Sequence, residues 1–317
     1  MTILAERDFP VGGLRLLASS RSAGKTLPFR NHEIGVEALD ENSFVGIDLA
    51  LFSAGSGIAK EYAPAAVRAA AIVIDNSSAF RMNPAVPLVV PKINAAALAG
   101  HDGIIANPNC AAIIAITPLW PIHRHNRIRR PILSTYQAAS GAGAAAIDKL
   151  VASTRTRLAG DSFAPRVLPH PYAFNLFSHD AAIDPATGCN GEETKVINET
   201  RKIFGDPEIR IGVTCIRVPV LHAHAIAVTV ECEGPIDPGE ARALIAGAPG
   251  CRLVDDRERN HFPMPLEATG QDDILVGRIR RDLSDPSGHS LALFVAGDQL
   301  RRGAALDAVQ AAEMLLP

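Results

Sequence analysis

Short apolar runs separated by turns and helical segments are the feature that most restricts how this chain can fold. Five such runs occupy residues 14–18, 48–53, 71–75, 87–91 and 103–107. Runs that are apolar at consecutive positions are typical of strands covered on both faces, as in parallel sheets. The segment at 59–70, between two of these runs, predicts the crossover helix of a βαβ unit. The first third of the chain therefore predicts an α/β, Rossmann-like, doubly wound nucleotide-binding domain.

The sequence pattern changes after residue 109. Apolar and polar residues alternate at 209–219 and 223–233, which predicts antiparallel strands with one buried face. The other elements predicted here are a helix from 110 to about 118, a strand at 128–138, a helix from the glycine turn at 140–143, strands at 274–283 and 290–296, and a helix near 301–316. Together they predict an α+β domain of 110–296, followed by a C-terminal helix in 297–317.

Composition and charge exclude several classes of protein. The 31 basic and 34 acidic residues give a net charge of −3 without a basic block, so a nucleic-acid partner is not expected. Prolines interrupt the apolar run at 111–121 before it reaches the length of a membrane span, and no secretory signal opens the chain, so the cytoplasm is expected. The five cysteines are widely spaced without a Cys-x-x-Cys pair, which predicts neither a disulfide framework nor a metal site.

The sequence Asn-Pro-Asn-Cys at 107–110 lies where a predicted strand ends and a predicted helix begins. Partial positive charge at a helix N-terminus stabilises a thiolate, so Cys110 is a candidate nucleophile. A role as a small buried apolar side chain, which is common for cysteine, stays open. A nucleophile needs a base, and His224 of the His-Ala-His sequence at 222–224 is either that base or a plain surface histidine.

Three further groups have side chains suited to charged ligands. Arg81 follows a predicted parallel strand, where ligands of such sheets bind, and its guanidinium suits phosphate or carboxylate. Glu192 and Lys195 are one helical turn apart, which ordinarily indicates a solvated ion pair. The polar loop after the strand at 14–18 suits a 2′-phosphate, or is an ordinary surface loop. Its residues are Ser19, Ser20, Arg21 and Ser22.

Segments along essentially the whole chain, in this order, resemble aspartate-semialdehyde dehydrogenases. The segments that carry the resemblance are AERDFP at 5–10, LLASSRSAGK at 16–25, IDNSSAFRM at 74–82, NPNC at 107–110, STYQAASGAG at 134–143, PYAFN at 171–175, NETRKIF at 198–204, TCIRVPV at 214–220, VGRIRRD at 276–282 and GDQLRRGAAL at 297–306. Dense, collinear matches of this kind favour the catalytic interpretation of Cys110 and His224 over the alternatives left open above.

The resemblance implies a reaction and a set of substrate contacts. The reaction is reversible NADPH-dependent reduction of L-aspartyl 4-phosphate to L-aspartate 4-semialdehyde and phosphate through a cysteine thioester, in lysine, threonine and methionine biosynthesis. Cys110 would be the nucleophile, His224 the general acid/base, and Gln137 would orient the acyl intermediate. The substrate contacts implied are Arg81 and Lys195 for phosphate, Arg217 for the carboxylate and Glu192 for the ammonium group.

The resemblance also implies a cofactor, a homodimer and domain functions. NADP would contact Ser19, Ser20, Arg21 and Ser22 with its adenosine phosphate, and Ser140, Gly141 and Gln299 at its nicotinamide end. The expected domains are an NADP-binding domain at 1–109, a catalytic, substrate and dimerisation domain at 110–296, and a C-terminal helix at 297–317 that returns to the first. No metal is expected.

Several features depart from the pattern of this family, and two of them concern the cofactor loop and the nucleophile. No Gly-x-Gly-x-x-Gly or Gly-x-x-Gly-x-x-Gly turn precedes Val11, so the first strand and glycine-rich loop are expected to be absent, and the true start is expected upstream of Met1. Ala111 and Ala112 follow Cys110 where hydroxyl residues are expected. An inactive truncated paralogue that serves as a binding or assembly subunit, and a sister N-acetylglutamyl-phosphate reductase, are the alternative functions.

Overall fold

The computed structural model describes residues 1–161 and 168–316. The chain divides into two compact units, one formed by Met1–Pro108 with Ala304–Pro317 and the other by Asn109–Gly303. These units are defined by packing. The functional domains 1–109, 110–296 and 297–317 stay a prediction.

The secondary structure is numbered along the chain. The strands are β1 (Leu16–Ala18), β2 (Thr26–Phe29), β3 (His32–Ala38), β4 (Leu49–Phe52), β5 (Ile72–Asp75), β6 (Ile104–Ala106), β7 (Ile128–Gln137), β8 (Phe177–Ser178), β9 (Gly212–Arg217), β10 (His224–Cys232), β11 (Cys251–Leu253), β12 (Ile274–Arg281) and β13 (Ser290–Gly297). The α-helices are α1 (Thr2–Glu6), α2 (Ser56–Arg68), α3 (Pro91–Asn94), α4 (Cys110–His125), α5 (Ala144–Leu158), α6 (Gly191–Phe204), α7 (Pro238–Ala246), α8 (Pro265–Ala268) and α9 (Leu306–Glu313).

The first unit contains two three-stranded sheets, β1-β3-β2 and β4-β5-β6. In the second of these all pairs are parallel, and α2 crosses from β4 to β5 with its small side chains packed on Val73. On the same unit, α9 packs against β5 and buries Leu306 and Val309 beside Ile74. The predicted α/β, Rossmann-like class is confirmed.

Residues 87–91 do not form the strand that their apolar side chains predict. Leu88 makes one isolated parallel bridge to Ala106, and α3 begins at Pro91. Pro87 and Pro91 have no backbone N–H to donate to a neighbouring strand, which explains why pairing stops after one bridge.

The second unit is built on a mixed seven-stranded sheet in the order β11-β12-β13-β10-β7-β9-β8. The predicted antiparallel pairing of β10 is correct, since it pairs antiparallel with both β13 and β7. The prediction for β9 is wrong on one side, because β9 runs parallel to β7 and antiparallel only to β8. The chain reaches β9 through the crossover helix α6, which packs against it and allows the parallel direction.

Helix α4 is longer than its sequence predicts. The expected end near Pro118 is wrong, since the helix continues through Pro118 and Pro121 to His125. Ile113 and Ile122 are fully buried on either side of these prolines. Burial of this apolar helix against β7, β10, β12 and β13 outweighs the loss of two internal hydrogen bonds.

Among the described residues, no helix is long and apolar enough to span a membrane.

Candidate active site

Cys110 is the first residue of α4, and the residue before it caps that helix. Asn109 Oδ1 accepts the backbone N–H groups of Ala111 and Ala112 at 2.9 and 3.1 Å. The Cys110 Sγ therefore lies at the positive end of the helix dipole, which favours the thiolate. The side chain is half-buried, so a small substrate can reach it.

His224, the first residue of β10, lies next to this sulfur. Its Nε2 is 3.7 Å from Cys110 Sγ, a distance suited to a hydrogen bond that involves sulfur. The backbone N–H of Ala138 donates to His224 Nδ1 at 3.1 Å. Because a backbone N–H can only donate, Nδ1 is the acceptor, and the neutral imidazole holds its proton at Nε2, on the side of Cys110.

The surroundings of His224 favour this neutral form. The imidazole is 1% exposed, and burial, followed by the positive charge of Arg217, lowers the pKa of His224 to about 3. Protonation would also place a second N–H at Nδ1, where it would face the donor of Ala138. The arrangement therefore provides a neutral Nε2–H group beside Cys110 Sγ, rather than an imidazolium ion.

Glu192 on α6 joins two buried amides in the same site. Its Oε1 accepts Asn109 Nδ2 at 2.8 Å and Gln137 Nε2 at 3.2 Å. Gln137, at the end of β7, is 1% exposed, and its Oε1 has no hydrogen-bond partner among the described residues. An unpaired buried carbonyl is costly, so this oxygen is available to a donor on a ligand.

Lys195 completes an ion pair with Glu192, but the pair is not the solvated one that its spacing suggests. Lys195 Nζ is 3.1 Å from Glu192 Oε2, and the Glu192 side chain is only 7% exposed. Burial opposes ionisation of Glu192, but Lys195, His179 and the two amides outweigh it and lower its pKa to about 2. Glu192 is therefore a fixed negative charge in the site.

Arg217 lies at the end of β9, near His224. Its Nε donates to Asp180 Oδ1 at 3.0 Å, and its side chain is buried. A Cβ on Gly141 would lie 2.9 Å from His224 Cε1 and 3.2 Å from Arg217 Nη1. Gly141 therefore packs directly against both groups, and only a residue without a side chain fits there.

Ser140, the residue before Gly141, forms a buried pair with Gln299. Gln299 Nε2 donates to Ser140 Oγ, both residues are at most 3% exposed, and Gln299 Oε1 has no partner among the described residues. After Gln299 the chain forms a π-helical turn at Arg301–Ala305. In that turn, a Cβ on Gly303 would lie 2.8 Å from Cys110 Cβ, so Gly303 fixes one side of the nucleophile.

The remaining candidates belong to the first unit. Arg81 is buried and donates from Nε to Asn107 O at 2.9 Å and from Nη2 to Asn76 O at 2.7 Å. These carbonyls follow β6 and β5, so two parallel strands orient the guanidinium. The loop 19–22 forms a turn after β1, in which Ser22 N–H donates to Ser19 O at 2.8 Å and the side chains are mostly exposed.

Within the second unit, the structure brings together nine of the residues proposed from the sequence. These are Cys110, Gln137, Ser140, Gly141, Glu192, Lys195, Arg217, His224 and Gln299. It also adds residues that were not proposed from the sequence. Asn109 could have been found, since asparagine before a predicted helix is a capping signal. Asp180 and Gly303 have no local signal, because they reach the site through strand pairing and a π-helical turn. Among the described residues, no group of three His, Cys, Asp or Glu side chains is arranged to hold a metal ion.

Comparison with known proteins identifies the family. A model described as semialdehyde dehydrogenase, NAD binding domain, matches residues 1–101, and one described as semialdehyde dehydrogenase, dimerisation domain, matches residues 119–302. The chain is 50% identical over 316 residues to the aspartate-semialdehyde dehydrogenase of a Synechocystis strain, covering 100% of this chain and 93% of that protein. This chain belongs to the aspartate-semialdehyde dehydrogenase family.

Other members of the family support this assignment. The aspartate-semialdehyde dehydrogenase of Aquifex aeolicus is 45% identical, with 100% of this chain and 93% of that protein covered. The crystal structure of aspartate semialdehyde dehydrogenase II from Vibrio cholerae superposes with a TM-score of 0.95 at 41% identity, covering 99% of this chain and 93% of that one. The resemblance found in the sequence is confirmed. The chain is an oxidoreductase with a domain for a nicotinamide cofactor.

Proposed function

We propose that this chain reduces L-aspartyl 4-phosphate to L-aspartate 4-semialdehyde and phosphate, reversibly and with NADPH as reductant, in lysine, threonine and methionine biosynthesis. The observation that carries the proposal is Cys110 Sγ at a helix N-terminus, 3.7 Å from the Nε2 of a buried histidine. A cysteine at a helix N-terminus, with an imidazole within hydrogen-bond reach, is the pair of nucleophile and acid/base group that acyl transfer to sulfur uses.

The first chemical step follows from this pair. Cys110 Sγ attacks the carbonyl carbon of the acyl phosphate, a C–S bond forms, and the C–O bond to phosphate breaks with its electron pair leaving on the phosphate. The product is a thioester, which is electrophilic enough for reduction where a carboxylate is not. His224 holds a proton at Nε2 beside the reacting sulfur and serves as general acid/base.

Charged groups around the pair match the substrate. Arg217 would bind its carboxylate, with Asp180 holding the guanidinium from the Nε side. Glu192 would bind the ammonium group, Gln137 would orient the acyl group, and Lys195 and Arg81 would hold phosphate. The buried negative charge of Glu192 favours a free ammonium group, which an N-acetylated substrate lacks.

The chain offers fitting groups for a nicotinamide cofactor. The buried carbonyl oxygen of Gln299 has no partner among the described residues and suits an amide donor, as on a nicotinamide carboxamide. Ser140 and Gly141 would lie at that end, and the hydroxyls and cation of Ser19, Ser20, Arg21 and Ser22 would select the 2′-phosphate of NADP. When bound, NADPH supplies the hydride that reduces the thioester to the aldehyde.

We further propose a homodimer in the cytoplasm. In this proposal residues 1–109 bind NADP, residues 110–296 bind the substrate and form the dimer, and residues 297–317 return to the first domain.

Titration with NADPH tests the alternative function of an inactive assembly subunit, because a folded chain that does not bind NADPH supports that alternative.

Replacing the nucleophile tests the proposed function directly. We expect Cys110→Ala to abolish phosphate-dependent oxidation of aspartate semialdehyde, since no thioester can form, while NADPH binding is retained. Reduction of NADP and of NAD is followed by the absorbance of the reduced nicotinamide, and the kcat/KM values of the two cofactors are compared. Near wild-type turnover of Cys110→Ala would refute the assignment.

A further inference from the structure

The two helices that meet at the nucleophile are capped differently. In α6, Asn190 Oδ1 accepts the N–H groups of Glu192 and Glu193, and Glu193 Oε2 accepts the Asn190 N–H at 2.9 Å. This is a complete capping box within one helix. In α4 the cap is Asn109, and the corresponding third residue is Ala112, whose methyl group cannot accept the cap's N–H.

A second helix supplies the missing acceptor. Glu199, on α6, accepts the backbone N–H of Asn109 at 2.6 Å through Oε2, and its side chain is 1% exposed. Glu199 lies two turns after Glu192, on the same face of α6. Since Glu192 binds the side-chain amide of Asn109, the two carboxylates of α6 hold both the backbone and the side chain of this cap.

These contacts restrict Cys110, the next residue. Its backbone follows Asn109 directly, while Gly303 packs against Cys110 Cβ from another direction. A shift of Asn109 would therefore move Sγ relative to His224 Nε2. Small displacements of a reacting atom can lower a rate by about 100-fold.

We propose that Glu199 is a positioning residue for Cys110, completing the capping box of α4 from α6. The carboxylate acts through the Asn109 N–H and not by contact with the substrate. The inference rests on the proposed function only in taking Cys110 as the nucleophile.

The test shortens or neutralises the carboxylate. Glu199→Asp keeps the charge but withdraws it from the Asn109 N–H, whereas Glu199→Gln keeps an oxygen acceptor at full length. The matched control is Asp255→Ala, which removes a buried carboxylate of the same unit outside α6, whose partners are Arg242 Nε and the Arg278 N–H group. Each variant is treated with iodoacetamide at pH 7, and modification of Cys110 is followed by peptide mass spectrometry. Semialdehyde kcat and KM, NADP binding and the melting temperature are also measured.

We expect Glu199→Asp to slow both Cys110 alkylation and kcat by about 10- to 100-fold, with NADP binding unchanged. Glu199→Gln should retain most of the wild-type alkylation rate and kcat. Asp255→Ala should lower the melting temperature but leave Cys110 alkylation at the wild-type rate. Peptide mapping separates Cys110 from the other thiols, and burial raises the pKa of Cys215, Cys232 and Cys251 to about 12, so these react slowly.

A wild-type rate of Cys110 alkylation in Glu199→Asp, or equal slowing in Asp255→Ala, would overturn the proposal. If Glu199→Asp does not fold, the test rests on Glu199→Gln alone. A decrease of more than about 10-fold in its Cys110 alkylation rate would show that a hydrogen-bond acceptor at this position is not sufficient. Failure of the proposed function is distinguishable, since it is read from the activity of Cys110→Ala and not from the alkylation rate of the Glu199 variants.

Discussion

His224 links the chemistry of the site to the acid stability of the protein. Burial, assisted by Arg217, lowers its pKa from 6.5 to about 3. Between these values the unfolded chain binds a proton at His224 that the folded chain does not. Stability therefore rises with pH across this window and is lost as pH falls from about 6.5 towards 3. Keeping the imidazole neutral, with its proton at Nε2, therefore lowers the stability of the folded protein at acidic pH.

Removing the imidazole should remove this part of the pH dependence. Between pH 7 and pH 5, the wild-type protein should lose about 2 kcal/mol more unfolding free energy than His224→Gln. Urea denaturation at the two pH values measures the difference. At pH 7 the same variant should have a turnover lower by about 10²- to 10⁴-fold, because a positioned proton donor is gone. Equal losses of stability in both proteins would contradict the neutral assignment of His224.

How far a site residue can be predicted from sequence depends on whether its signal is local. Cys110 can be selected because Asn-Pro-Asn-Cys at a strand-to-helix junction is a local pattern. The spacing of Glu192 and Lys195 predicts their ion pair but not the burial that makes Glu192 a fixed charge. Glu199 cannot be selected, since its hydrogen bond to Asn109 spans 90 residues and no neighbouring residue indicates it.

At the scale of elements, α6 determines how the charged part of the site is arranged. Glu192, Lys195 and Glu199 all lie on this helix, and the capping box of Asn190 and Glu193 fixes its first turn. Losing the cap would leave two N–H groups unpaired and allow that turn to fray, which displaces Glu192 first.

We expect Asn190→Ala to lower the unfolding free energy by about 1–2 kcal/mol and to raise the KM for aspartate semialdehyde. The matched control is Asp237→Ala, which removes the cap of α7, where Asp237 Oδ1 accepts the Gly239 N–H at 2.7 Å. It should lower stability without changing KM. Chemical denaturation and steady-state kinetics are measured on both variants, and a similar rise in KM for both would mean that the effect is not specific to α6.

The elements that sequence predicts least well are those decided by tertiary contacts. The prolines of α4 predict an early end, but burial on the sheet carries the helix on to His125. The alternation in β9 predicts one buried face correctly, yet its parallel direction depends on the crossover through α6. The hairpin of β2 and β3 gives little signal, because most of its side chains are exposed.

At the scale of the molecule, the open face of the seven-stranded sheet is where we expect a second subunit to bind. Leu133, Thr135 and Gln137 of β7 point to the helix-covered face and are buried. The alternate residues point to the other face, where neighbouring strands place more apolar and hydroxyl side chains in register. These side chains, all half-buried or exposed, are Ile132, Ser134, Tyr136, Thr214, Ile216, Ala227, Thr229 and Phe294.

Such a face is unusual for a free sheet surface, since it is largely uncharged and lies on the central strands. If it forms the homodimer interface, Ala227→Glu on β10 should produce a monomer, because a carboxylate would be buried without a partner. The control is Leu283→Glu, which replaces an apolar side chain that is 94% exposed in the turn after β12 and should leave the dimer intact. Sedimentation velocity measures the mass of each protein. A dimeric Ala227→Glu protein would place the interface elsewhere on the chain, whereas a monomer that still binds NADPH would separate dimer formation from cofactor binding.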